Sequence, residues 1–107
     1  MKTAGEKSIS GEMQSCAQKR LSEVRALSFD ELSSLPESET REIQLLGKRV
    51  QLTTYRASEL PDQMLIVVQA VRERWFGIMH RVHAVGFIAL SNGEKRDAPE
   101  EKLWDYT

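Results

Sequence analysis

The sequence predicts an α+β domain: an N-terminal helix or helix pair packed on a four- to five-stranded antiparallel meander sheet, with a short C-terminal helix. Three observations predict it. Apolar residues recur at helical spacing near the start of the chain; two apolar, β-branched runs at 64–68 and 82–90 occupy the second half; and tight-turn signals at Gly47-Lys48, Trp75-Phe76-Gly77 and Asn92-Gly93 join neighbouring segments as hairpins.

Residues 1–11 are small and polar, with Gly5 and Gly11, and read as a mobile tail that leaves 12–107 as a single domain. From Met13 onward, Met13, Cys16, Ala17, Leu21, Val24 and Leu27 fall at steps of three and four, which is one stripe of an amphipathic helix over about 12–27. Ser28 and Glu31 have the spacing of a capping box, so a short second helix starts there. Phe29, Leu32 and Leu35 form its inner face, and Pro36 ends it.

Strand chemistry begins at Arg41. A two-residue Gly47-Lys48 turn pairs Leu45 with Val50 and Ile43 with Leu52 on one face, and Gln44 with Gln51 and Glu42 with Thr53 on the other. Ser58 to Gln63 reads as a turn around Pro61 and Asp62. The third strand runs from about Gln63 to Arg74, and because positions 64–68 are all apolar it is expected in the centre, covered on both faces. A three-residue Trp75-Phe76-Gly77 loop sets Arg72 opposite His80, Val71 opposite Arg81 and Gln69 opposite His83. The competing two-residue loop would oppose Arg72 to Arg81, a like-charge pair. Gly86 marks a bulge or a close packing partner, and Asn92-Gly93 turns the chain into a short fifth strand at about 94–96. Asp97 is a cap candidate for the terminal helix, with Pro99, Glu100 and Glu101 in its first turn and Leu103, Trp104 and Tyr106 beyond.

Composition restricts the function classes. The 107 residues are 40% hydrophobic and 29% charged with a net charge of −1, so a core is feasible and no global field draws the chain to nucleic acid or anionic lipid. Charge is uneven: residues 63–91 hold three arginines against one acidic residue, while 92–107 are acidic. A single cysteine, Cys16, cannot close an internal disulfide, and no stretch has the length and apolarity of a membrane span or an export signal. A cytoplasmic setting without membrane insertion is the reading.

Few residues suggest chemistry. His80 and His83 are three apart in a strand, where they would point to opposite faces and could not share a metal ion. Cys16 falls on the apolar stripe, as a buried thiol would. Phosphate loops, nucleophile elbows and Cys/His quartets are absent, so no cofactor, metal or catalytic residue is assigned and the motifs weigh against an enzyme. One grouping remains, Arg72, Arg74, Trp75, Phe76, His80 and Arg81, which joins positive charge to aromatic rings near the tip of the long hairpin.

The expected function is therefore a small cytoplasmic, non-catalytic interaction module. It contacts a partner protein or a second copy of itself through the hairpin of residues 63–90. The alternative is a ligand- or nucleic-acid-binding domain using the basic and aromatic tip. A third reading is a small enzyme with a pocket between helix and sheet, involving His83 and Gln69.

Overall fold

The computed structural model describes residues 9–73 and 80–106. Its order is α1 (Ile9–Arg25), α2 (Phe29–Ser33), β1 (Ser38–Leu45), β2 (Lys48–Leu60), β3 (Gln63–Glu73), β4 (His80–Leu90), β5 (Lys95–Asp97) and α3 (Glu100–Leu103), followed by a 3₁₀ turn at Trp104–Tyr106. The strands form one antiparallel sheet in the order β1-β2-β3-β4-β5, which is the α+β meander the sequence predicts.

Helix α1 buries Met13, Ala17, Leu21 and Val24, four members of the predicted stripe, while Cys16 and Leu27 pack beside them half-buried. It starts at Ile9, earlier than the expected start near residue 12, so Ile9, Ser10 and Gly11 belong to the helix. The rest of the expected tail lies outside the described residues. The capping box of α2 forms as read: the Glu31 amide donates to Ser28 Oγ at 3.1 Å, and the Ser28 amide donates to Glu31 Oε1 at 3.0 Å.

One face of the sheet, the inner face, lies under α1, chiefly at β3 and β4. Val50, Leu52, Met64, Ile66, Val68, Ala70, Phe87 and Ala89 meet the helix residues and Leu32 there in the main core. Positions 64–68 are all buried, at 4% exposure or less, as a central strand covered on both faces requires.

Two registers differ from expectation. In the first hairpin the turn is Leu46-Gly47, with φ of 52° and 74°, and Leu45 pairs with Lys48, Ile43 with Val50 and Glu42 with Gln51. Positive φ at both central residues matches the twist of the strands, which a glycine-first turn at Gly47-Lys48 was expected to supply. The shift is two residues, so Ile43, Leu45, Val50 and Leu52 keep the expected face.

The second difference reverses a face. Arg72 lies opposite Arg81, Glu73 opposite His80, Ala70 opposite His83 and Gln69 opposite Ala84, the register rejected on charge grounds. Packing decides it. In this register Phe87 pairs with Ile66 and is fully buried on the inner face, whereas a one-residue slip would send it to the outer face. Burying a phenylalanine is worth about 1.5–3 kcal/mol, against about 0.2–1 kcal/mol for a like-charge cross-strand pair. The Trp75-Phe76-Gly77 loop itself lies outside the described residues.

At the end of the chain Asp97 belongs to β5, not to a helix cap: its carboxylate accepts from Arg25 at 2.8 Å, and Pro99 precedes α3 without a side-chain cap.

Candidate functional site

Of the predicted tip residues, Arg74, Trp75 and Phe76 lie outside the described residues, and His80 and Arg81 are described in backbone alone. Arg72 is half-buried on the inner face, across from position 81. The tip is therefore located by its register only.

His83 and Gln69 are not brought together. Strand alternation and the observed register put them on opposite faces. His83 Nε2 is hydrogen-bonded to Ser10 Oγ at 2.7 Å, which pins the first turn of α1 to β4. On the other side the Gln69 amide donates to the Tyr106 carbonyl, and its oxygen accepts from the Tyr55 hydroxyl at 3.2 Å. A pocket shared by His83 and Gln69 is excluded, because the sheet lies between them.

Two polar contacts escape a sequence reading because each joins distant segments. Ser10 is one, placed in the tail by its composition. Arg20 is the other: its side chain, 15% exposed, runs under α1 to Thr54 Oγ1 at 3.3 Å and Glu39 at 3.5 Å, linking the helix to β2 and β1. Its position between apolar stripe residues was the available signal. Both contacts dock α1. Among the described residues no three His, Cys, Asp or Glu side chains gather where they could hold a metal ion, and no helix is long and apolar enough to cross a membrane. A shallow groove of about 420 Å³ follows the solvent side of α1 along Gln14, Ser15, Gln18 and Ser22, with no ionisable group but Lys19.

The outer face of the β3–β4 hairpin has a more distinctive chemistry. Below the Glu73–His80 pair at the tip end, its cross-strand pairs are Val71 with Val82, Gln69 with Ala84, Val67 with Gly86, Leu65 with Ile88 and Gln63 with Leu90. None of these positions is charged. The segment after β5 crosses the middle of this face. Leu103 sits over Gly86, where an added Cβ would lie 3.1 Å from Leu103 Cδ2, and the Tyr106 ring packs on Tyr55 with centroids 5.1 Å apart. Toward the hairpin tip Val71, Val82 and Ala84 remain half-exposed.

Fold and surface together define an α+β protein whose distinctive surface is an uncharged stretch of the β3–β4 outer face, over 63–71 and 82–90, partly covered by its own C-terminal segment. Comparison with protein-family models, with curated proteins and with solved structures finds no match.

Proposed function

We propose that the protein is a small, cytoplasmic, non-catalytic interaction module that docks a second copy of itself through the outer face of the β3–β4 hairpin. The observation that carries this reading is the absence of charge from the outer-face positions of β3 over 63–71 and of β4 over 82–90, which include a half-exposed strip of Val71, Val82 and Ala84. A two-fold interface brings like against like, so an uncharged face meets its copy without repulsion, while apolar side chains supply the attraction. Two sheets stacked in this way lie about 10 Å apart. The free thiol of Cys16 supports a reducing compartment.

Sedimentation equilibrium from micromolar to several hundred micromolar protein tests the reading. Reversible self-association that Val82→Lys abolishes is expected, since the substitution places a charge in the middle of the strip. A monomer throughout the range would overturn it. Salt-sensitive retention of that monomer on a single-stranded oligonucleotide, lost in Arg72→Ala, would move the assignment to nucleic-acid binding at the basic hairpin tip.

A further inference from the structure

We infer that the segment from Pro99 to Tyr106 is an autoinhibitory strap: docked across the middle of the outer face, it keeps self-association weak, and its release opens the whole face to a second copy. The inference rests on the docking surface proposed above.

The strap is lightly held. Neither α3 nor the 3₁₀ turn buries a residue, whereas α1 buries four. A helix of four residues has no stability of its own. Its attachments to the sheet include Leu103 over Gly86, Tyr106 against Tyr55, and the Gln69 amide donating to the Tyr106 carbonyl. The sheet-side anchor ends at Ala98, whose amide donates to the Gly86 carbonyl at 3.2 Å. Pro99, with no amide hydrogen, follows as the natural hinge.

The strap also stands where a partner must. A helical turn with its side chains is about 10 Å across, the same thickness as the gap between stacked sheets, so strap and partner sheet cannot share the layer above Gly86. With the strap in place, the apolar area left at Val71, Val82 and Ala84 is a fraction of the roughly 1,200–2,000 Å² that a stable interface buries. Release adds Tyr55, Val67, Gln69 and Gly86 to the accessible face, all of them uncharged.

The test uses the full chain with Leu103→Ala and Tyr106→Ala combined, and Tyr106→Ala alone as the milder variant. Thermal melts establish that each is folded. Faster tryptic cleavage after Lys102 reports release of the strap. Sedimentation equilibrium is expected to show dimerisation at least tenfold tighter than in the parent chain, returned to the parent level by adding Val82→Lys. Faster cleavage with unchanged or weaker association overturns the strap, and leaves the docking surface standing if the parent chain self-associates in a Val82-dependent way. Monomers throughout, in parent and released variants alike, overturn the docking surface and the strap with it.

Discussion

At Leu46 the backbone takes φ of 52°, and among the described residues no other non-glycine has a positive φ. A left-handed conformation costs a residue with a Cβ about 1–2 kcal/mol, and Leu46 recovers little by burial because it is 53% exposed. Asparagine tolerates that conformation and would create the Asn-Gly pair that such hairpin turns favour. Leu46→Asn should therefore stabilise the protein by about 0.5–1 kcal/mol, read as a rise of about 2–6 °C in the melting midpoint. Glu31 gives a second test at this scale. The Ser28 backbone amide first, its hydroxyl second and the nearby Lys95 charge after them hold the Glu31 carboxyl below its ordinary value of 4.5. The folded state thus binds that proton more weakly than the unfolded chain does. The resulting stabilisation is complete above the ordinary value and is lost as pH falls through the lowered one. Glu31→Gln keeps a capping-box partner but removes the charge. Urea unfolding of both chains should show a parent advantage at pH 7 that shrinks steadily as pH drops below 4.5.

Among the elements, β4 carries the tightest geometric constraint. A Cβ added at Gly86 would lie 2.6 Å from the Ile66 carbonyl oxygen, 3.1 Å from Leu103 Cδ2 and 3.3 Å from Val67 Cγ2. The first neighbour is backbone and cannot yield without moving β3, so Gly86→Ala should cost about 1–3 kcal/mol in urea unfolding. Leu103→Ala, which relieves only the flexible contact, should not restore it. Gly86 was legible as a close-packing position, and so were the stripe of α1, the capping box of α2, the central place of β3 and the turn at Asn92-Gly93. Each of these is encoded within a few residues. The facing of β4 was not, because local charge favoured one register while Phe87, buried against a helix more than sixty residues away, selected the other. The Leu46-Gly47 turn is illegible for a related reason: Gly47-Lys48 has the glycine-first pattern of a tight turn, and the structure instead accepts a strained leucine that matches strand twist. Ser10 with His83 and Arg20 with Glu39 are contacts between segments that no local pattern connects. Of the candidate site, the long hairpin was legible in the sequence, while the loop of its predicted tip lies outside the described residues. The uncharged stretch of the outer face, over 63–71 and 82–90, becomes visible only once the register is known.

On the scale of the molecule, α1 is the element that gathers the sheet. Ser10 meets His83 on β4, Arg20 meets Thr54 on β2 and Glu39 on β1, and Arg25 meets Asp97 on β5 while its guanidinium lies 5.6 Å from the centroid of the Phe87 ring. These links differ in strength. The Arg25–Asp97 pair is 38% and 90% exposed, so screening limits it to less than about 1 kcal/mol, whereas Met13, Val24, Ile66, Val68 and Phe87 are essentially withdrawn from water. Stability should therefore fall from the centre of the sheet toward its edges. Strand β3 is bonded to β2 and β4 over nearly its full length and covered on both faces, while β5 adds three residues to one side of β4 and β1 has a neighbour on one side alone. Native-state hydrogen exchange should show amides of residues 65–70 opening only with global unfolding, so that their exchange free energy equals the one from urea melts. Amides of β1, β5 and α2 should exchange through local openings of lower free energy. Equal protection of β1 and β3 would contradict this gradient.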